Sequence, residues 1–175
     1  MWKFELIKLM KDPAYLIFTD ELIAIIRDGY PKAEFHYLVL PHQDISNLAA
    51  TKKDDAKLLR HMESKGREIA EKYGGQRNFK YGYHTEPSME RLHLHVISDD
   101  MNSPSLKHKK HWNSFTTPFF MESEKAIKDL ETHGRVIFPS KEEIKTWLNL
   151  PLKCHKCDYK PKFMPDLKRH ILTHL

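Results

Sequence analysis

The chain has 175 residues and a formal net charge of +5, long enough to bury one ordinary core and attach a small module but too short for two large domains. No run of eighteen apolar residues occurs, and Lys3, Glu5, Lys8 and Lys11 interrupt residues 2–12, which leaves neither a helical membrane span nor a secretory h-region and predicts a soluble, intracellular protein. The two cysteines, Cys154 and Cys157, stand with two residues between them, a spacing that suits a metal better than a disulfide framework and implies a reducing compartment.

In chain order, Trp2, Leu6, Leu9 and Met10 fall at helical spacing. Asp12-Pro13 ends that pattern, because a residue before proline is pushed out of the helical region, and a short amphipathic helix is expected over residues 2–11. Residues 15–18, 22–27 and 35–40 are β-rich runs separated by the turn-forming Thr19-Asp20 and Asp28-Gly29-Tyr30-Pro31, and read as antiparallel strands. From Asp54 as N-cap, Leu58, Leu59, Met62, Ile69, Ala70 and Tyr73 keep a helical period until Gly74-Gly75, predicting one long helix. Residues 78–84 and 91–98 follow as strands. The second alternates Leu92, Leu94 and Val96 with Arg91, His93 and His95, which places the three polar residues on one face about 7 Å apart. Residues 101–110 read as a polar loop, 122–132 and 141–148 as helices, and Pro151 as the start of a tail. The expected fold is α+β: an antiparallel β-sheet domain with flanking helices over residues 1–150, and a small module over 151–175.

His93 and His95 stand out among twelve histidines because the other face of their strand is Leu-Leu-Val. Apolar residues anchor the strand to a core while the imidazoles converge in a cleft; metal binding and simple surface placement both fit His-x-His on a strand. In the tail, Cys154-x2-Cys157-x12-His170-x3-His174 has Cys2His2 zinc spacing, with a turn gathering the thiolates and a helix turn aligning the histidines. Leu167 takes the apolar helix position, but Pro161 stands where such a finger carries its core phenylalanine, leaving Tyr159 or Phe163 to fill it. The tail holds six bases against two acids, while the rest of the chain nearly balances. Such a patch favours a polyanion through phosphate contacts, with a solubilising face as the alternative.

Arg91-Leu92-His93-Leu94-His95-Val96-Ile97 resembles the alternating motif of the histidine-triad superfamily, with arginine in place of the first histidine. Phe35-His36-Tyr37-Leu38-Val39-Leu40-Pro41 resembles the superfamily's His-x-Leu-Val-x-Pro strand, and Phe18-Thr19-Asp20 through Asp28 its nucleotide-pocket opening. Gly82-Tyr83-His84, Pro87-Ser88-Met89, Ser103-Pro104-Ser105-Leu106-Lys107 and Lys110-His111-Trp112-Asn113-Ser114-Phe115, together with the finger, are similar to the aprataxins, the DNA-adenylate hydrolase branch of that superfamily. Nearly the whole chain is covered.

That resemblance implies a nucleus-located DNA-repair hydrolase that removes AMP from 5′-adenylated DNA ends. His93 becomes the nucleophile of a covalent histidine–AMP intermediate, since a neutral imidazole attacks phosphorus near pH 7 without prior activation. His95, His84 and Lys110 become catalytic partners that stabilise charge or deliver protons, Ser88 and His36 supporting groups, and Asp28 the acceptor for the ribose hydroxyls. Arg91 either contacts phosphate in place of a histidine or reaches out to DNA. Trp2 either stacks on the base pair at a DNA end or anchors its helix, and Lys109 meets a strand or simply solvates its loop. Lys162, Lys168 and Arg169 are expected on phosphates, and Cys154, Cys157, His170 and His174 on a structural Zn²⁺, with no catalytic metal. The expected state is a monomer whose product is AMP. Two other readings remain: a general nucleoside-phosphoramidate or dinucleoside-polyphosphate hydrolase, and a zinc-finger DNA-binding module with a vestigial pocket.

Overall fold

The computed structural model of the chain describes residues 5–175. It runs α1 (Glu5–Leu9), β1 (Leu16–Thr19), β2 (Ile23–Arg27), β3 (His36–Pro41), the long helix α2 (Ala56–Tyr73), β4 (Phe79–His84) and β5 (Leu94–Ser98). Helix α3 (Lys109–Thr116), β6 (Phe120–Glu122), α4 (Ser123–His133), α5 (Lys141–Asn149) and α6 (Met164–Ile171) complete it. The expected α+β architecture is present. Among the described residues no helix is long and apolar enough to cross a membrane.

All six strands form one antiparallel sheet in the order β1-β2-β3-β5-β4-β6. Because side chains alternate across a strand, Tyr37, Val39, Leu94 and Val96 point to one face, where they meet Leu59, Met62 and Ile69 of α2 and Ile127 and Leu130 of α4 in the larger core. The opposite face is divided into three. At one end Ile26, Leu38 and Leu40 pack against Leu6 of α1. At the other end Ile97 joins Trp112 and Phe115 of α3 and the finger residues Leu152, Cys154, Leu167 and Ile171. Between these two apolar patches lie His36, His84 and His95.

Close approach decides two positions. An added methyl on Gly66 of α2 would sit 2.7 Å from Val96 Cγ2, so the helix lies directly on the sheet there. At Gly82 of β4 it would meet the Met121 carbonyl oxygen at 2.4 Å and the Phe120 ring at 2.5 Å. Backbone cannot give way as a flexible side chain can. Gly82→Ala is therefore expected to push β6 off its neighbour and destabilise the fold by about 1–3 kcal/mol, read from urea unfolding; an unchanged midpoint would show that β6 is loosely held.

Two expectations needed correction. Residues 91–93 are not part of a strand: β5 starts at Leu94, and Arg91 has a φ of 98°, which breaks the alternation read from the sequence. Residues 109–116, whose first two were counted in a polar loop, form α3, with Trp112, Asn113, Ser114 and Phe115 buried. Strand β6 was not anticipated. Trp2, and the part of the N-terminal helix that precedes Glu5, lie outside the described residues.

Candidate active site and zinc centre

Strands β3, β4 and β5 lie side by side, and each contributes a histidine to the same face. The His84 and His95 rings are 4.5 Å apart between centroids, His36 and His95 5.2 Å, and His93 and His95 5.0 Å. Phe115 of α3 stands edge-on to both His36 and His95 and also touches His84. Four imidazoles predicted separately from the sequence thus form one cluster, held from above by one aromatic ring.

Burial lowers the pKa of all four. His36 is pushed down to about 4 by burial, with Asp28 opposing and Lys32 and His93 adding to the shift. His84 and His95 are driven well below the ordinary histidine value by burial first and by their neighbouring rings second. His93 is lowered by burial, against the opposing effects of its bond to Arg91 and of Asp28. All four are neutral at pH 7. The unfolded chain therefore binds protons that the folded chain refuses, so stability present above pH 6.5 is lost as pH falls toward 4. His36 alone accounts for about 3 kcal/mol of this. An NMR titration of the His36 ring should give a midpoint near the lower value, and a midpoint near 6.5 would contradict the burial argument.

Neutral rings have definite tautomers, assigned here from their hydrogen-bond partners. The Lys32 backbone N–H donates to His36 Nδ1 at 3.1 Å. His36 Nε2 therefore carries the proton and donates to His95 Nδ1 at 2.9 Å, with Asp28 Oδ2 3.5 Å away. This leaves the proton of His95 on Nε2, an enclosed atom without a hydrogen-bond partner. His93 Nδ1 donates to the Arg91 carbonyl at 2.8 Å, which leaves Nε2 with its lone pair. A nucleophilic nitrogen and an N–H donor therefore sit on adjacent rings inclined by 77°, the pairing that attack on phosphorus with charge stabilisation requires. Asp28, His36 and His95 also bring three donor atoms within 4.8 Å of one another, with the two imidazoles joined by the His36–His95 hydrogen bond.

Arg91 directs its guanidinium to the protein itself. Its buried guanidinium turns back to the end of β3 and the loop that follows, where Nη2 donates to the carbonyls of Pro41 at 2.9 Å and His42 at 2.6 Å, and Nη1 to Asp44 Oδ1 at 3.1 Å. Its backbone N–H donates to the Ser46 carbonyl at 2.8 Å. A positive φ at a residue with a side chain costs about 1–3 kcal/mol and persists only where surrounding bonds fix it.

The other candidates are spread more widely. Asp28 accepts the Tyr30 backbone N–H at 2.7 Å beside His36. Ser88, on the turn between β4 and β5, and Lys110, in the first turn of α3, are exposed. Lys109 Nζ reaches the Asn149 carbonyl at 3.3 Å; Lys162 lies over the Phe163 ring, and Arg169, largely exposed, pairs with Asp166. Lys168 has a role within the protein. Its ammonium donates to the carbonyls of Ser103 at 2.9 Å and Leu106 at 3.1 Å, which fastens α6 to the sheet domain and uses two of its three N–H donors. Lys32 was missed. It is half-buried beside Asp28, with its pKa lowered by burial against that carboxylate, and the only sequence signal was its place just after a Gly-Tyr-Pro turn.

In the tail, Cys154 Sγ lies 3.5 Å from His174 Nε2, Cys157 Sγ 3.0 Å from His170 Nε2, and the two histidine Nε2 atoms are 3.1 Å apart. The four donors lie within 4.8 Å of one another, and two thiolates with two imidazoles suit tetrahedral Zn²⁺. Neither aromatic expected in the finger core is there: Tyr159 is 42% and Phe163 58% exposed, with Tyr159 stacked on His170 instead. Trp112 of α3 fills the core from outside, donating its indole N–H to the Lys153 carbonyl at 2.9 Å.

A sheet with imidazoles clustered on one face, and a zinc finger sharing its core, defines a histidine-triad-type domain with a finger attached. A family described as "Scavenger mRNA decapping enzyme C-term binding" matches residues 1–111, and a "C2HE / C2H2 / C2HC zinc-binding finger" family matches residues 116–175. Aprataxin of Danio rerio is 44% identical over 99% of this chain, which spans 54% of that protein. The aprataxin-like protein of Saccharomyces cerevisiae is 32% identical, with 97% of this chain and 94% of the yeast protein covered. The crystal structure of the aprataxin ortholog Hnt3 in complex with DNA has the same fold, with a TM-score of 0.77 at 24% identity over 96% of this chain and 90% of that one. The chain belongs to the aprataxin family. It spans about half the length of several of its curated relatives.

Proposed function

We propose that the chain hydrolyses 5′-adenylated DNA ends, releasing AMP and restoring a 5′-phosphate. The observation that carries this reading is the His93 ring, held through Nδ1 with a free Nε2 next to the His95 N–H. His93 Nε2 attacks the adenylate phosphorus, a phosphorus–nitrogen bond forms, and the anhydride bond to the DNA 5′-phosphate breaks. Water then displaces His93 from phosphorus, its proton passes to solvent, and AMP leaves. His95 Nε2–H stabilises the charge on the non-bridging oxygens, with Lys110, Ser88 and His84 completing the electrostatics and proton delivery, and His36 holding the tautomer of His95. Asp28 takes the ribose hydroxyls. The only metal in this scheme is the structural Zn²⁺ of the finger.

A small cleft bounded by Asn47, Leu48, Pro87 and Arg91 opens onto His84 and His93. Trp2, Lys109, Lys162 and Arg169 are assigned to the DNA, in keeping with a fold relative solved in complex with DNA. The protein works as a monomer, in the nucleus.

The test compares AMP release from a nicked duplex bearing a 5′-adenylate with release from a small AMP ester. Release from the nick at a kcat/KM at least tenfold higher supports DNA-end repair. Equal rates would favour a general adenylate hydrolase, and nick binding without AMP release would favour a non-catalytic DNA-binding module.

A further inference from the structure

Resting on that reading of His93, we propose that Arg91 is a positioning residue for the nucleophile, acting through its own main-chain carbonyl. The bonds form a continuous path. The guanidinium and the backbone N–H of Arg91 grip the 41–46 loop at Pro41, His42, Asp44 and Ser46, and Leu92 N–H adds a bond to the Ile45 carbonyl at 2.8 Å. This grip holds residue 91 at a φ of 98°, the conformation in which its carbonyl oxygen stands 2.8 Å from His93 Nδ1. Rotating the 91–92 peptide would remove that acceptor. The His93 proton could then settle on Nε2, and the ring would present a donor where phosphorus needs a lone pair.

A guanidinium fork suits this task and an imidazole does not. It offers several donors in a fixed plane and stays charged at every working pH, so it can bond two carbonyls and a carboxylate at once. An imidazole at this position could not reproduce those bonds. The arginine that departs from the histidine-triad pattern thus does its work through residues 41–46.

The test uses Arg91→Lys, which keeps the charge without the fork, and Arg91→Gly, which tolerates the positive φ without the side chain. On the small AMP ester, kcat should fall on the order of 10- to 100-fold with KM changed less than about twofold, and ¹⁵N NMR should show His93 shifting from an Nδ1–H form toward a mixture. Wild-type kcat in both variants would overturn the inference, as would a raised KM with kcat intact, which would place Arg91 on the substrate. The wild-type spectrum gives a check that needs no variant: a His93 protonated on Nε2 would also overturn it. If wild type released no AMP from adenylated DNA, the proposed function would fail while the tautomer measurement still judged Arg91.

Discussion

His93→Ala should lower AMP release from a 5′-adenylated nick on the order of 10³-fold or more, because the step that divides the reaction in two disappears with the nucleophile. The substitution removes a ring that is 6% exposed, so the variant must first be shown to melt near wild type. A direct readout accompanies the rate. Wild type quenched during turnover with labelled adenylate should retain label on the denatured chain, in a bond stable to base and labile to acid, as expected of a phosphorus–nitrogen link. His93→Ala should retain none. A variant that kept the wild-type rate would remove His93 from the chemistry altogether, and equal labelling of both proteins would move the covalent bond to another residue.

His95→Ala is the informative contrast. It leaves a nucleophile without the adjacent donor and frees His36 Nε2 from its 2.9 Å partner. The rate should fall, yet label should still be retained, since the loss of charge stabilisation slows both transfers without abolishing either.

Part of this site was legible in the sequence: period-two alternation set His95 on the face opposite Leu94 and Val96, while His36 and His84 entered through the resemblance to the histidine-triad motifs. Arg91 and His93 defeated the same rule. A positive φ in a residue with a side chain has no local signature, and this one is imposed by carbonyls some fifty residues earlier in the chain. Helix α3 was obscured for a different reason: Lys109, Lys110 and His111 begin it, and its buried face shows only as Trp112 and Phe115, too short a pattern to establish a period. Lys168 looks like any basic residue of a finger helix, and its attachment to the carbonyls of Ser103 and Leu106 depends on tertiary docking that composition does not encode.

That docking leads to the second large effect. Removing zinc from the finger should impair the imidazole cluster as well as any grip on DNA. Small Cys2His2 modules gain most of their folding free energy from the metal, about 10–16 kcal/mol in isolated fingers, and this one lacks a core aromatic of its own. Leu167 and Ile171 of α6 close over Trp112, so when the finger unfolds Trp112 loses its cover and its indole bond to Lys153. One helical turn further along α3, Phe115 holds His36 and His95 edge-on at 5.4 and 5.2 Å. Loss of a buried tryptophan's packing costs about 3–5 kcal/mol, which for a chain of this size lowers the melting midpoint by about 10 °C. Chelation, or Cys154→Ala, should therefore depress hydrolysis of the small AMP ester about tenfold or more, with recovery when Zn²⁺ is returned to the chelated protein. Unchanged ester hydrolysis alongside lost cleavage of adenylated nicks would confine the finger to holding DNA and would show that α3 keeps Phe115 in place without it.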